Sequence, residues 1–292
     1  MERDAMQAVT EFEPDAVSWR MARRLRSLVK IRGVRRLRSL LLGSAPEQAF
    51  RVRNSSGVFE GDLSSLLERN VYLDGGYESE QIACFLDLVP GNRRGTLLDI
   101  GANIGTHSIA FAGVFARVHA FEPNPTVVKR LKNNIGLNPE LDVTVHEVAL
   151  GEAKGVFPFY APAGDNHGQG TLSTVEQYET SLVKLADVQV EAASAYIDQH
   201  IEGPIDAIKI DVQGTEKSVL RGLKGIILRD DPIIWVELET PFYRSQEALG
   251  ELKDLLGHKQ AFRLTMGSGL FVNFGPEPSD LSSVRTGNYV FV

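Results

Sequence analysis

The segment LLDIGANIGTHSIAFAG, residues 97–113, joins an apolar run to a helix-like run through a turn that contains two glycines. From this segment onward, short apolar runs typical of β-strands alternate with helix-like stretches. Such alternation predicts a parallel sheet that is covered by helices on both faces. The predicted strands are TLLDI, RVHAF, VTVHEVAL, AIKID, IIWVELE, AFRLT and YVFV, and the predicted helices lie near residues 105–113, 125–136, 215–224 and 245–256.

The turn after the first predicted strand suits a ligand, but it lacks the glycine spacing of a dinucleotide site. Glycine lets the backbone approach a ligand closely, and the start of the next helix offers free N–H groups. The dinucleotide fingerprint has glycines at relative positions one, three and six. Here Gly101 is followed at those positions by Asn103 and Thr106, and Gly105 lies between them. The turn is therefore predicted to bind a ligand without a diphosphate, which disfavours NAD.

Acidic residues at the ends of the predicted strands indicate what this ligand contains. Asp99 precedes the turn, where it would repel a diphosphate but suits an α-ammonium group or a hydroxyl. Glu122, followed by Pro123, ends the second strand and can accept hydrogen bonds from both hydroxyls of a ribose. Glu147 and Val148 end the third strand and would lie beside a purine. S-adenosylmethionine contains all three groups and is the predicted cofactor.

Six motifs occur in an order that resembles the FkbM-type methyltransferase family over residues 50–245: DIGANIGTHSIAFA, VHAFEPNP, NNIGLN, VALGE, IKIDVQGTEKSVLRGL and PIIWVELE. The resemblance implies an α/β fold, the Rossmann-like class I methyltransferase sandwich of three layers. Its seven-stranded sheet is mostly parallel, with the last strand antiparallel. The implied activity is transfer of a methyl group from S-adenosylmethionine, usually to a hydroxyl oxygen of a sugar, polyketide or similar small metabolite.

The resemblance also implies roles for particular residues. They are Asp99, Gly101, Asn103 and Gly105 for the amino-acid end of the cofactor, Glu122 for the ribose, Glu147 and Val148 for the adenine edge, Asp211 for the reaction centre, and Tyr77 with Glu78 for closing over the methionine part. The family often has Glu at the position of Gln213 and His or Asn at that of Glu239. The roles of these two positions are therefore left open.

Methyl transfer to an alcohol requires an aligned nucleophile and a group that accepts its proton. Asp211 ends the fourth predicted strand, where it is a candidate base or, alternatively, a cap for the next helix. Alternation places Trp235, Glu237 and Glu239 on one face of IIWVELE. Glu237 is predicted to orient the acceptor, with a salt bridge as the alternative. His167, in the loop GDNHGQGT, either reaches the pocket or is exposed.

Metal-binding and redox motifs are absent from the sequence. There is no His-x-His, His-Glu-x-x-His or Cys-x-x-Cys pattern, so no dedicated transition-metal site is predicted. Oxygen-only sites leave little trace in a sequence, so Mg²⁺ is left open although nothing indicates it. Cys84 is the single cysteine and lies in an apolar stretch, which excludes an intrachain disulfide and predicts a buried thiol.

Charge is distributed unevenly along the chain. Residues 16–45 carry nine arginines and lysines and no acidic residue, which leaves −16 on the rest of a chain whose net charge is −7. The acidic remainder would repel a phosphate backbone, so nucleic acid is disfavoured as a partner. Apolar residues recur with helical spacing in residues 16–45, interrupted at Gly33. These helices either pack on the main domain or a second subunit, or dock on a membrane surface.

The predicted organisation is a basic helical segment over residues 1–45, an adapter with a β-hairpin and helices over 46–90, and a methyltransferase domain over 91–292 with an insertion at about 156–192. No run approaches the roughly 20 apolar residues of a membrane span, and the N-terminus is too acidic for a signal peptide. The expected location is the cytoplasm, and a homo-oligomer is left open.

The leading functional hypothesis is O-methylation of a small-molecule acceptor. N-methylation of an amino sugar or peptide on the same scaffold is an alternative, and so is a non-catalytic module that binds the cofactor or a partner. The insertion that would shape the acceptor pocket matches no pattern, so the sequence does not identify the acceptor.

Overall fold

The computed structural model describes residues 10–13, 17–24, 42, 47–162, 170–172, 182–238, 243, 245–267, 274–282 and 284–292. The N-terminal elements are helix α1 (Val17–Arg24), strands β1 (Ala49–Arg53) and β2 (Val58–Asp62), and helices α2 (Leu66–Asp74) and α3 (Ser79–Leu88). Then follow β3 (Thr96–Ile100), α4 (Thr106–Ala112), β4 (Arg117–Phe121), α5 (Pro125–Gly136), β5 (Val143–His146), β6 (Ala149–Gly151), β7 (Gly155–Pro162), β8 (Leu182–Ala192) and α6 (Ala193–His200). The last elements are β9 (Ala207–Ile210), α7 (Glu216–Gly222), α8 (Lys224–Asp230), β10 (Ile233–Leu238), α9 (Gln246–Leu256), β11 (Ala261–Met266), β12 (Phe274–Ser279) and β13 (Gly287–Phe291).

The central sheet has the strand order β12-β11-β13-β10-β9-β3-β4-β5. Strands β5, β4, β3, β9 and β10 pair in parallel, and β13 is antiparallel to both neighbours. The predicted α/β fold with a mostly parallel sheet and an antiparallel last strand is confirmed.

Two predictions about the strands were wrong. Within the described ranges the sheet has eight strands rather than seven, because FGPEPS forms the edge strand β12. Its two prolines hide it from propensity rules, but proline is tolerated at a sheet edge. The run VTVHEVAL forms two strands, since β5 pairs with β4 whereas β6 joins β8 and β7 in a second sheet. The glycine at position 222 in α7 lets β6 pack closely against this helix, away from the central sheet, because a Cβ there would lie 2.1 Å from the carbonyl oxygen of Gly151.

Alternation along the strands sorts side chains to the two faces of the central sheet. Leu98, Ile208 and Val236 pack on one face with α6, α7 and α9. Leu97 and Trp235 pack on the other face with residues of α3 and α4. The polar residues that continue this second face toward the carboxyl ends of the strands form the floor of the site described below.

The predicted hairpin is confirmed as β1 and β2, and two asparagines of the motif NNIGLN attach it to the sheet domain. Asn138 accepts a hydrogen bond from the Val58 N–H (2.7 Å) and donates one to the Val58 carbonyl (2.8 Å). Asn134 accepts from the Glu60 N–H (3.0 Å) and donates to the Ile104 carbonyl (3.0 Å). The hairpin is thereby fixed to the turn that follows β3.

Helix α1 packs on this hairpin. Trp19 is 3% exposed and lies among Phe50, Tyr72 and Leu73. Residues 17–24 of the basic segment therefore pack on the rest of the protein, which is one of its two predicted alternatives. Residues 25–41 and 43–46 lie outside the described part of the chain. Among the described helices, none is both long enough and apolar enough to cross a bilayer.

Candidate active site

A cleft with a cavity volume of about 260 Å³ opens at the carboxyl ends of β3, β4 and β9. Parallel α/β sheets commonly bind ligands at this edge. The cleft is lined by residues 100–104 after β3, 121–124 after β4, 148–150, and 211–213 after β9, with Tyr77 and the first half of α2 on the opposite side. The predicted cofactor turn, ribose position and reaction centre thus share one cavity.

The glycine turn has the special backbone that its sequence predicts. Gly101 has φ 84°, and a Cβ there would lie 1.8 Å from the backbone oxygen of Asp211. Asn103 and Gly105 also have positive φ, 52° and 90°. The absence of side-chain atoms at Gly101 lets the chain after β3 touch the chain after β9, which closes the floor of the cleft.

Glu122 links this turn to the end of β4. Its Oε2 accepts from the Asn103 N–H (3.0 Å) and its Oε1 from the Asn124 N–H (2.9 Å). Burial raises the pKa of Glu122 to about 7, against the lowering effect of these two hydrogen bonds. A carboxylate offers roughly four acceptor positions, so Glu122 keeps acceptor capacity toward the cleft, which Pro123 also lines.

The two residues predicted beside a purine differ in position. Val148 lines the cleft together with Phe121 and Leu150, which makes this end of it apolar. Glu147 has a side chain that is 56% exposed and forms an ion pair with Lys132 of α5. The apolar surface, rather than the Glu147 carboxylate, dominates this end of the cleft.

A buried charge cluster of Asp99, Lys209 and Asp211 lies beneath the turn. Strand register places Asp99 opposite Lys209, on neighbouring strands. Lys209 Nζ lies 3.5 Å from Asp99 Oδ1 and 3.4 Å from Asp211 Oδ2. Asp99 is fully buried and accepts a hydrogen bond from the Ser108 hydroxyl (2.6 Å). Asp99 therefore lies under the floor of the cleft, beside the turn rather than at its surface.

Lys209 was missed by the sequence analysis, although AIKID contains a signal for it. A lysine in a central parallel strand is buried on both faces and needs partners. Burial alone would lower its pKa, but the carboxylates of Asp211, Asp99 and Glu78 raise the pKa above its usual value. The lysine thus stays charged in the interior.

Asp211 reaches the cleft from this cluster. Its side chain is 28% exposed, and Oδ1 accepts from Gln213 Nε2 (2.7 Å). Burial would raise the pKa of Asp211, but Lys209 and the hydrogen bond from Gln213 lower it below its usual value. Gln213, whose backbone has a positive φ of 54°, therefore orients this carboxylate.

Glu216, rather than Asp211, caps the start of helix α7. The Glu216 carboxylate accepts from the N–H groups of Val212 (3.2 Å) and Gly214 (3.0 Å) ahead of α7. Glu216 is 4% exposed, and burial raises its pKa to about 7. These contacts leave the Asp211 side chain for the cleft.

Tyr77 and Glu78 lie at the other side of the reaction centre. Glu78 has φ 52° and precedes α3, with Oε2 at 3.3 Å from His107 Nε2. The ring of Tyr77 packs edge-on against that of His107. Burial raises the pKa of Tyr77 to about 12, with further contributions from Glu78, Asp211 and Glu237, so the phenol stays protonated among these carboxylates.

Glu237 belongs to the same cluster of groups. It follows Trp235 on one face of β10, and the register Val236↔Ile210 places it beside Asp211 at the ends of adjacent strands. His167 and Glu239 lie outside the described residues.

Helix α2 is fixed over the cleft by a buried glutamate that the sequence analysis did not single out. Glu68 is 2% exposed, accepts from the Asp62 N–H (2.6 Å) and pairs with Arg130 of α5. Burial raises the pKa of Glu68 despite this arginine. The pair connects α2 to α5 across the mouth of the cleft.

No group of three or more His, Cys, Asp or Glu side chains suited to a metal ion is present in the described part of the chain. Cys84 is half-buried, and its thiol donates to the Phe274 carbonyl (3.1 Å).

Comparisons with known proteins cover this region. A family model described as the methyltransferase FkbM domain matches residues 99–264, more than half of the chain. The 2-O-methyltransferase NoeI of Sinorhizobium fredii is 26% identical over 172 residues, 55% of this chain and 70% of that protein. The hexuronic acid methyltransferase AglP of Haloferax volcanii is 30% identical over 127 residues, 44% of this chain and 49% of that protein.

Among solved structures, a methyltransferase FkbM from Methylobacillus flagellatus is 19% identical, with a TM-score of 0.43. The match covers 68% of this chain and 44% of that one. The chain thus spans about half the length of AglP and less than half of this structure. The family match runs from Asp99, at the floor of the cleft, to Leu264 in β11.

Proposed function

The chain belongs to the methyltransferase FkbM family, and we propose that it transfers a methyl group from S-adenosylmethionine to a hydroxyl oxygen of a small metabolite such as a sugar or polyketide. The observation that carries the proposal is the order in which three kinds of surface follow one another along one cleft. Since the strands lie in the order β5-β4-β3-β9, an apolar end at Phe121 and Val148 is followed by the Glu122 carboxylate and then by the turn and Asp211. A purine, a ribose and a charged amino-acid end would meet these surfaces in the same order.

The residues present fit this donor. Glu122 retains acceptor positions for ribose hydroxyls, and Phe121, Val148 and Leu150 supply an apolar slot for the base. Gly101, Asn103 and Gly105 shape the backbone that would hold the amino-acid end, with Asp99 beneath it and with Tyr77 and Glu78 opposite. When bound, S-adenosylmethionine supplies an electrophilic methyl group on a sulfonium, which an aligned oxygen can displace.

Asp211 is the proposed proton acceptor for the acceptor hydroxyl. It is ionised, partly exposed in the cleft and fixed by Gln213 and Lys209. Glu237 lies beside it and would orient the acceptor through a second hydrogen bond. The protonated phenol of Tyr77 would donate a hydrogen bond to an oxygen of the methyl acceptor or of S-adenosylmethionine. A positioned carboxylate of this kind contributes roughly 10²- to 10⁴-fold to the rate.

The names of the curated relatives support an oxygen acceptor. NoeI is a 2-O-methyltransferase and AglP a hexuronic acid methyltransferase, so one name gives oxygen as the methylated atom and the other a sugar acid as substrate.

The test is transfer of a radiolabelled methyl group from S-adenosylmethionine to a panel of sugars, polyketides and amino sugars, with product analysis by mass spectrometry. We expect methyl ethers from at least one hydroxyl acceptor. Methylation of amines only would overturn O-methylation. Binding of S-adenosylhomocysteine without transfer to any acceptor would instead identify a cofactor-binding module.

A further inference from the structure

Lys209 is a charged side chain in the middle of the sheet, and it contacts both halves of the site. The residue is 3% exposed and lies on β9, between β3 and β10. Its ammonium group lies 3.5 Å from Asp99 Oδ1, 3.4 Å from Asp211 Oδ2 and 3.3 Å from the carbonyl oxygen of Gly101. One cation therefore contacts the glycine turn, the buried carboxylate under it and the proposed proton acceptor.

The surroundings of Asp211 are otherwise acidic. Glu237 lies beside it on β10, Asp99 of β3 and Glu78 at the start of α3 share Lys209 with it, and Glu216 of α7 is close enough for Asp211 to raise its pKa. His107 faces it from α4. Negative charges so close to Asp211 disfavour its ionised form unless a cation compensates them. Among the described groups around Asp211, Lys209 and His107 are those that can carry a positive charge.

Lys209 also restricts the conformation of Asp211. One carboxylate oxygen of Asp211 is held by Gln213 Nε2 and the other faces Lys209 Nζ. Each oxygen keeps a second acceptor position, and the 28% exposure of the side chain shows that part of it faces the cleft. The carboxylate is therefore charged, oriented and available at once.

We propose, resting on the proposed function, that Lys209 is a positioning residue for methyl transfer. Its ammonium group keeps Asp211 ionised in an acidic pocket, aims this carboxylate at the acceptor and ties it to the glycine turn through Gly101. Lys209 itself does not touch the acceptor. Its removal takes away the nearest positive charge, so the pKa of Asp211 rises.

The first test measures the pH titration of Asp211 by NMR. The protein is labelled with ¹³C at the aspartate carboxyl groups, and Asp211→Asn is used to assign the signal. In Lys209→Met we expect the titration midpoint of Asp211, or of the coupled pair, to rise by about 1 to 3 pH units. Lys209→Arg should retain much of the wild-type midpoint. Asp99→Asn combined with Lys209→Met should return the midpoint toward the wild-type value, because the competing negative charge is gone.

Lys259→Met is the matched control. Lys259 also has a buried side chain, 2% exposed, and is ion-paired with an aspartate, Asp231, but it does not line the cleft. Its loss should leave the titration of Asp211 unchanged. An unchanged Asp211 midpoint in Lys209→Met would overturn the proposal. If that variant does not fold, Lys209→Gln takes its place, since the amide can still donate to the Gly101 carbonyl but carries no charge, and the same upward shift of the Asp211 midpoint is expected.

The second test is the pH profile of kcat with the best acceptor. The acidic limb should move upward in Lys209→Met by the same interval as the NMR midpoint and recover in the double variant. A shifted titration with an unshifted acidic limb would overturn the positioning role. Failure of wild-type protein to methylate any acceptor would overturn the proposed function, whereas the NMR titration would still decide whether Lys209 sets the charge of Asp211.

Discussion

Glu122 titrates near neutral pH, which would couple donor binding to pH. Burial raises its pKa to about 7, and ribose hydroxyls can donate only to acceptor oxygens. Binding of S-adenosylhomocysteine should therefore favour the ionised carboxylate and release a proton. We expect its affinity to increase between pH 6 and pH 8, measured by calorimetry in buffers of different ionisation enthalpy.

Glu122→Gln should weaken this binding by about 10- to 100-fold at pH 8, the loss of one charge-assisted hydrogen-bonding group, and should flatten its pH dependence. Glu216→Gln is the control, because Glu216 has a similarly raised pKa but does not line the cleft. Affinity that is independent of pH in the wild-type protein would contradict the ribose assignment.

Asp211 is predicted to act in turnover rather than in donor binding. In Asp211→Asn the side chain keeps its size but can no longer accept a proton, so kcat should fall by roughly 10²- to 10⁴-fold. The affinity for S-adenosylhomocysteine should stay within about threefold, since the donor's ribose and base contact other residues. Steady-state kinetics and calorimetry on the same preparation check both values. A variant that turns over at nearly the wild-type rate would exclude Asp211 as the proton acceptor.

The turn between β3 and α4 depends on the missing side chain of Gly101. A Cβ there would lie 1.8 Å from the Asp211 backbone oxygen, and φ is 84°. Gly101→Ala should therefore cost about 3 kcal/mol or more in free energy of unfolding and abolish donor binding. Urea denaturation measures the first effect and calorimetry the second.

Gly136→Ala is the matched glycine variant, because a Cβ there meets nothing within 4 Å and the residue ends α5. It should leave both stability and binding close to wild type. Equal effects of the two substitutions would mean that the close contact at Gly101 does not matter.

The order of helices and strands could be predicted because each element has a local signal. The alternation of apolar residues located β3, β4, β9 and β10, and the helices near 125–136 and 245–256 end within a residue of the predicted bounds. The division of VTVHEVAL could not be predicted, because it depends on β6 packing against Gly222, about 70 residues later. Strand β12 was missed because its prolines are unfavourable everywhere except at an edge, and local sequence does not reveal an edge.

Residues that line the cleft could be predicted from their positions at strand ends, whereas contacts between elements could not, and the roles of these residues stay predictions. Glu122 and Asp211 stand at strand ends and were found from position alone. Lys209 and Glu68 were missed because their importance comes from partners on other elements, at Asp99 and Arg130. Register across strands and packing between helices bring these partners together, and neither is encoded in one short segment.

Glu122 and Glu216 should make the stability of the protein fall as pH rises from about 4.5 to 7. Glu122 and Glu216 each have a pKa of about 7 in the folded state, raised by burial from 4.5. In this pH window these two side chains bind more protons in the folded protein than in the unfolded chain, so their contribution to the free energy of unfolding decreases with pH. Each group contributes up to roughly 3 kcal/mol over the window. Burial lowers the pKa of His146 to about 4, which acts in the opposite sense within the same window.

Urea denaturation at pH 5 and pH 7.5 measures this effect. The Glu122→Gln, Glu216→Gln double variant should be less sensitive to pH, since neither side chain titrates. Groups with lowered pKa, such as Asp211, act in the opposite sense at lower pH, where stability is lost as pH falls. An equal pH dependence of stability in the wild-type protein and the double variant between pH 5 and pH 7.5 would contradict the raised pKa of these two carboxyl groups.

The edges of the central sheet determine how two copies of this protein can associate. Strand β12 carries Pro276 and Pro278 at alternate positions, and proline has no N–H to offer to an added strand. The opposite edge, β5, is only four residues long. Neither edge is a good template for sheet extension, which protects the protein against edge-to-edge aggregation. A dimer that extends the central sheet is therefore disfavoured.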